Sequence, residues 1–381
     1  MKFIDLFAGI GGFHQALTNL GHQCVYANDF DKFASDTYKN NYDINSYGDI
    51  TKVDEKDIPE HDILCAGWPC QPFSVGGFQQ GFKDKTRGTL FFDVVRILSY
   101  HKPKYILLEN VKNLISHDDG NTWEVIKNSL IELGYRINHT PEILSPDRFG
   151  IPQSRERVFI YGIYDPINCK KDLNIKTPIT NFNQSIEDIM VDTDIDDVKI
   201  SKYEEDVLNI WDELIQELKR NGFHPSFTII PEFFNYQDSM DDLPQWKKIS
   251  IPKNIKLYND YKDIFDKWLI KFNKFPFTNV AHQKLEWQAG KEYSTLWDCI
   301  ISFRQSGIRI RRPKTFPTLV AVVQTPIYGP LKRRLTIKEV GLLQSFPMDF
   351  KHCENMHQAY KQFGNSVNVK VVEEVVKNFI K

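Results

Sequence analysis

The chain is poor in paired cysteines, long apolar runs and net charge, and each shortage closes off a class of protein. Six cysteines (24, 65, 70, 169, 299 and 353) are scattered over 381 residues, and no two form a Cys-x-x-Cys pair. Such spacing suggests neither a zinc site nor a disulfide framework, and it fits a reduced, cytoplasmic setting. No stretch nears the length of apolar sequence a membrane span needs, so none is expected. The opening Met-Lys-Phe-Ile-Asp-Leu-Phe runs straight into a glycine turn and reads as a first strand rather than a signal peptide. The net charge of −2 says nothing about nucleic acid, because local patches decide that. Internal repeats and low-complexity linkers are also missing.

What is present is an ordinary globular composition, 41% hydrophobic and 26% charged, in a chain long enough for two domains. Lys2–Phe7, Gln23–Asn28, Ile63–Gly67, Tyr105–Glu109 and Arg157–Ile163 read as strands. Phe13–Leu20, Phe91–Ser99 and Thr122–Leu133 between them read as amphipathic helices. This α/β alternation predicts a parallel sheet with helices on both faces, with ligands at the carboxyl ends of its strands. The texture changes over 166–303, which holds five of the seven tryptophans (211, 246, 268, 287, 297) and an acidic run around Glu187–Asp197. There Ser201-Lys-Tyr-Glu204 predicts a capping box, with Val207, Trp211, Leu214 and Leu218 along one helix face. The tryptophans read as core. Residues 335–350 predict a short helix ended by proline. Gly364-Asn365-Ser366 predicts a turn into a last helix over Val367–Phe379, back at the ligand site.

Several short motifs carry chemistry. Asp5-Leu-Phe-Ala-Gly9-Ile-Gly11-Gly12-Phe13 puts three glycines where a strand becomes a helix, letting backbone approach a ligand closely. Many strand–helix turns are glycine-rich, and this one lacks the full Gly-x-Gly-x-x-Gly spacing of a nicotinamide site. Asp29, after the second strand, is placed to accept ribose hydroxyls or is simply a turn aspartate; Gly48-Asp49-Ile50 has the same two readings. Together the three favour an adenosine-containing cofactor. Trp68-Pro69-Cys70-Gln71 sets a thiol on a stiff turn after a buried strand. Cys70 is either a nucleophile favoured as thiolate by a helix start or an inert buried cysteine, the reading given to Cys65. Ser74–Gly88, with Gly76, Gly77, Gly81 and Gly88, looks like a loop able to close over substrate. Glu109 ends an apolar strand, where a carboxylate is costly without a partner or a task. Gln153, Arg155 and Arg157 share one face by alternation, with ion pairing as the plain explanation for each. Arg304–Arg334 holds eight Lys or Arg and no Asp or Glu, and reads as a folded, phosphate-facing surface rather than a solvated one.

These motifs, in this order, resemble the C5-cytosine DNA methyltransferases of bacterial restriction–modification systems. The likeness runs through Asp-Leu-Phe-Ala-Gly-Ile-Gly-Gly, Asn-Asp-Phe-Asp (28–31), Gly-Asp-Ile, Pro-Cys-Gln-Pro-Phe-Ser, Arg-Gly-Thr-Leu-Phe-Phe (87–92), Glu-Asn-Val (109–111), Gln-Ser-Arg-Glu-Arg (153–157), Arg-Pro-Lys-Thr-Phe-Pro-Thr-Leu (312–319) and Gln-Phe-Gly-Asn-Ser-Val (362–367). The resemblance implies an S-adenosylmethionine-dependent methyltransferase fold, a Rossmann-like mixed sheet over 1–165 and 360–381. A smaller target-recognition domain with its hinge would occupy 166–359. It implies that Cys70 attacks C6 of a flipped cytosine, that Glu109 holds N3 and the amino group, and that Arg155, with Gln153 and Arg157 beside it, supports base and thiolate. Phe7, Ala8, Gly9, Gly11, Gly12, Asp29, Phe30, Asp49, Ile50, Pro69, Leu90, Asn365, Ser366 and Val367 would hold the cofactor. Ser74, Gly76, Gly77, Arg87, Arg304, Arg309, Arg311, Arg312 and Thr318 would meet DNA. Asp29 stands where the family more usually has Glu, which shortens the reach to the ribose. The implied partners are double-stranded DNA and a cognate restriction endonuclease; the expected setting is a cytoplasmic monomer without metal or membrane.

Two other readings compete. A tRNA cytosine methyltransferase would use the same thiol, but the large middle segment and the Pro-Thr-Leu block favour duplex DNA. A DNA-binding regulator without catalysis would not need Cys70, Glu109 and Arg155 together. An amino-group methyltransferase would carry an Asp-Pro-Pro-Tyr-like tetrad, which is absent.

Overall fold

A computed structural model describes residues 1–69, 90–179, 184–191, 198–272, 279–319 and 325–380. The chain forms two compact units. The first comprises Met1–Ser185, Pro317–Val323 and Ile337–Lys381, the second Ile186–Phe316 and Gln324–Thr336. These bounds differ from the expected break at 165/166 and return at 360. The change of texture near 166 marks composition, whereas packing keeps the next twenty residues, the Pro317 segment and everything from Ile337 on with the first unit.

The first unit begins β1 (Lys2–Leu6), α1 (Gly12–Asn19), β2 (Gln23–Asn28), α2 (Lys32–Tyr42), β3 (Ile63–Ala66), α3 (Phe91–His101), β4 (Tyr105–Val111), α4 (Asn121–Glu132), β5 (Tyr135–Ile137), β6 (Glu142–Leu144) and β7 (Arg157–Tyr164). The sheet order is β2-β1-β3-β4-β7-β5, with β6 also on β7. β2, β1, β3 and β4 run parallel. Ile63–Ala66 is buried throughout, as befits a strand covered on both faces. β7 is antiparallel to β4, β5 and β6, so the parallel sheet that alternation predicts extends only over β2, β1, β3 and β4, and the sheet as a whole is the mixed one that the resemblance implies. Three-residue β5 and β6 are too short for a periodicity argument, and they bring β7 back between β4 and β5.

In the second unit come α5 (Lys202–Arg220), β8 (Thr228–Ile229), α6 (Gln245–Asp260), α7 (Lys262–Lys271), β9 (Leu285–Gln288), β10 (Ile300–Arg304), β11 (Gly307–Arg311), β12 (Ile327–Tyr328) and β13 (Arg333–Arg334). Its sheet order is β13-β12-β10-β11-β9-β8. The predicted capping box forms: Ser201 Oγ accepts from the Glu204 amide while the Glu204 carboxylate accepts from the Ser201 amide. Val207, Trp211, Leu214 and Leu218 are buried in a core with β9, β10 and β11. Of the five tryptophans read as core, Trp211, Trp268 and Trp287 are buried and Trp297 packs against that core, but Trp246 is half exposed at the start of α6.

The chain then returns to the first unit as α8 (Ile337–Leu343), α9 (Met356–Asn365) and α10 (Val369–Phe379). Gly364-Asn365 closes α9 rather than opening the last helix, which is capped by Asn368 accepting from the Val371 amide.

Candidate active site

The carboxyl ends of β1, β2, β3 and β4 open on one cavity of about 550 Å³, a volume suited to a small molecule. It lies where parallel α/β sheets take ligands. Phe7, Gly9 and Ile10 reach it after β1, Asn28–Asp31 after β2, Gly67–Pro69 after β3 and Glu109–Val111 at the end of β4. Asp49, Ile50, Leu90, Arg155, Arg157, Lys361 and Asn365 are among the other residues that line it.

The glycine turn is held by close backbone approach. Phe7 (φ 55°), Gly9 (φ 55°) and Gly11 (φ 89°) are all left-handed; a phenylalanine there is strained, as at many ligand-binding turns. A Cβ on Gly12 would come within 2.6 Å of Val367 Cγ2, 2.7 Å of Ser366 Oγ and 2.9 Å of the Val367 carbonyl. Ala8, Gly11, Gly12, Ser366 and Val367 are thus not among the lining residues; Gly12 packs on Ser366 and Val367 behind it.

Asp29 accepts from the Gly9 amide (2.7 Å, Oδ2) and the Asp31 amide (2.7 Å, Oδ1), clasping the ends of β1 and β2 together. Burial raises its pKa against these bonds. Asp31 caps α2 through the Phe33 and Ala34 amides and pairs with Lys361 at 2.9 Å. Sequence reasoning missed Asp31 and Lys361; the signal for the first was an N-cap aspartate directly before Lys32-Phe-Ala. Asp49 Oδ1 accepts from the Thr51 amide and hydroxyl, which lower its pKa.

At the other end, Glu109 Oε1 lies 3.2 Å from Arg157 Nε. Burial raises the Glu109 pKa, with Arg157 and then Arg155 opposing. Arg155 is fully buried, and its guanidinium donates to the carbonyls of Leu319 (3.0 Å) and Ser366 (2.9 Å). Gln153 is buried outside the lining, with neither side-chain amide atom hydrogen-bonded among the described residues. Of the three expected to share a face, Arg155 and Arg157 both line the cavity and Gln153 does not; β7 begins only at Arg157, so strand alternation does not extend back to residue 153. Asn110, missed from sequence, donates to the Trp68 carbonyl at 2.9 Å; it ties β4 to the Trp68-Pro69 turn directly before Cys70. Cys70, Ser74, Gly76, Gly77 and Arg87 lie outside the described residues. Cys65 is wholly buried, and burial raises its thiol pKa well above the usual value.

The arginines expected to meet DNA belong to the second unit. Arg309 Nε is 2.6 Å from Glu286, and Arg312 donates to the Ala289 carbonyl and pairs with Glu292 at 3.2 Å. The side chains of Arg304 and Arg311 have no hydrogen-bond or ion-pair partner among the described residues. Burial lowers the Arg311 pKa, and Arg309 and Arg304 push the same way. Thr318, in the first unit, spends its hydroxyl on the Ser154 carbonyl at 2.9 Å. Among the described residues no helix is long and apolar enough to cross a membrane.

Comparison with known proteins agrees with the geometry. The chain is 34% identical over 379 residues to the type II methyltransferase M.HhaI of Haemophilus parahaemolyticus, covering 99% of this chain and 94% of that one. It is 34% identical to M.HpaII of Haemophilus parainfluenzae, covering 99% and 88%. The fold matches the crystal structure of Spodoptera frugiperda DNMT2 with a TM-score of 0.57 at 20% identity, over 100% of this chain and 99% of that one. The family model for C-5 cytosine-specific DNA methylases matches residues 1–381, and the chain belongs to that family, as a cytosine-C5 DNA methyltransferase.

Proposed function

We propose that the protein methylates C5 of a cytosine flipped out of duplex DNA, through a covalent bond between Cys70 and C6, and so protects DNA from a cognate restriction endonuclease. One observation carries this reading: a single cavity is lined by the adenosine-type residues Phe7, Asp29, Phe30, Asp49, Ile50 and Leu90 and by the Glu109–Arg157 pair, and it ends at Pro69, directly before Cys70.

The residues present fit S-adenosylmethionine. The Cβ-free face of Gly12 lets Ser366 and Val367 close behind the site. Phe7, Phe30, Ile50 and Leu90 offer apolar contact to an adenine, and Asp29 and Asp49 offer carboxylates to its polar edges and ribose. When bound, the cofactor supplies an electrophilic methyl group. The rest belongs to the chain. The Cys70 thiolate adds to C6, which makes C5 nucleophilic. Glu109, whose burial favours the protonated form, donates to N3 and accepts from the amino group. The role given to Arg155 on the base passes to Arg157, since Arg157 is the arginine that meets Glu109. After methyl transfer, loss of the C5 proton expels the thiol and restores the ring. Flipping costs a few kcal/mol, recovered by contacts in the pocket. The second unit is the target-recognition part of this reading.

A duplex carrying 5-fluorocytosine, which cannot lose a proton from C5, should trap a stable conjugate through residue 70. Cys70→Ala should bind cofactor and give no product. A linkage elsewhere by mass spectrometry, or turnover by Cys70→Ala, refutes the covalent route. Bisulfite sequencing of DNA from expressing cells identifies the target cytosine.

A further inference from the structure

Arg155 makes two bonds that the reaction itself does not call for. Its Nη1 donates to the Leu319 carbonyl at 3.0 Å and its Nη2 to the Ser366 carbonyl at 2.9 Å, acceptors 164 and 211 residues further along the chain. Its own amide is held by Ser145 Oγ at 2.9 Å. Both acceptors are carbonyls, so dipoles, together with the Glu109 charge, stabilise a buried cation whose Nε has no hydrogen-bond partner among the described residues. Burial lowers its pKa to about 9, a measure of what placing it there costs.

Each carbonyl belongs to a segment with its own task. Ser366 and Val367 pack against Gly12, and neighbouring Asn365 lines the cavity. Leu319 follows Thr318, whose hydroxyl is bonded to the Ser154 carbonyl, so Pro317–Leu319 is fastened twice to the Gln153–Arg157 stretch. In the chain, that segment follows the strand bearing Arg309 and Arg311 after the connecting residues 312–316. We propose that Arg155 is a positioning residue that couples cofactor occupancy to DNA binding, one planar guanidinium fixing both the cofactor wall at Ser366 and the Pro317–Leu319 segment leading from the arginine-bearing strands. The inference rests on the function proposed above. A lysine at 155 keeps the charge but replaces the rigid planar fork, which holds the two carbonyls in fixed directions, with a compact ammonium on a flexible stem.

Coupling between two ligands is reciprocal, commonly some 5–150-fold, and that is the measurement. The probes are S-adenosylhomocysteine and a duplex containing a cytosine that bisulfite sequencing shows the protein to methylate. In the intact chain each should tighten binding of the other by about tenfold. In Arg155→Lys, with thermal unfolding confirming the fold, both factors should fall towards one. If that variant does not fold, Thr318→Val removes only the side-chain anchor of the same segment. It should lower the factor about threefold, within the range typical of coupling changes, and leave homocysteine-analogue affinity without DNA unchanged. A folded Arg155→Lys or a Thr318→Val chain with the full factor overturns the inference, as does an intact chain that binds both probes with a factor of one. An intact chain that binds neither probe overturns the functional reading instead.

Discussion

Among single residues, Asp5 places a heavy electrostatic demand on the fold. It is wholly buried near the end of β1, in register with Cys65, and neither carboxylate oxygen makes a well-formed hydrogen bond among the described residues. Burial raises its pKa well above 3.8; the nearby His14 amide favours the ionised form, and the Asp29 charge adds to the rise. A carboxyl that holds its proton more tightly folded than unfolded favours folding at low pH. That advantage is lost as pH climbs from the ordinary carboxyl value towards the raised one. Within this window the group should make stability fall by about 1.4 kcal/mol per pH unit. Asp5→Asn, neutral at every pH, should flatten that limb in urea titrations run upward from about pH 4; a variant with the native slope would show that Asp5 folds ionised. The sequence made Asp5 visible only as the first letter of a glycine motif, because burial on both sides of a strand cannot be read from one residue's type. Glu109 was more legible: a carboxylate closing Tyr105-Ile-Leu-Leu announces either a partner or a task, and Arg157 is the partner. Which arginine of the 153–157 stretch would meet it depended on where β7 begins, a boundary that spacing leaves open.

Elements were legible where length gave periodicity room. The parallel strands, α1, α3, α4 and the capped α5 could be traced because buried runs and helical stripes repeat over several turns. α2 escaped, since Lys32–Tyr42 is polar on most of its surface and buries little beyond Ala34, Ser35, Thr37 and Tyr38. The glycine turn shows how an element's ends carry function. Gly12 opens α1 in ordinary helical geometry, so its glycine is there for space, not for φ. Gly12→Ala should destabilise the fold by about 1–3 kcal/mol through overpacking. Because the Val367 carbonyl is backbone and cannot swing aside, it should also weaken S-adenosylhomocysteine binding at least tenfold by calorimetry. Undiminished affinity in a folded variant would mean that the Ser366–Val367 wall moves freely and does not shape the cofactor site.

At the scale of the whole molecule, a net charge of −2 conceals how positive charge is distributed. The basic block was visible in the sequence, but not the carboxylates that cancel part of it, because Glu204, Glu286 and Glu292 lie far upstream or on another strand. In β10 and β11, Ile301, Phe303, Ile308 and Ile310 face the core, and alternation puts Arg304, Arg309 and Arg311 together on the opposite face. Glu286 is opposite Arg309 and neutralises it. Arg304 and Arg311 remain the arginines of that face with charge to spend on phosphate. Neutralising one phosphate releases counterions worth about 0.9 in the slope of log affinity against log salt. Arg311→Gln should therefore weaken duplex binding uniformly across sequences and lower that slope by roughly one. Arg309→Gln should change the slope little, because its charge is already committed to Glu286. Equal slope changes in the two variants would show that the Glu286 pair opens on binding, and a loss confined to the methylated sequence would turn Arg311 from a phosphate anchor into a reader of bases.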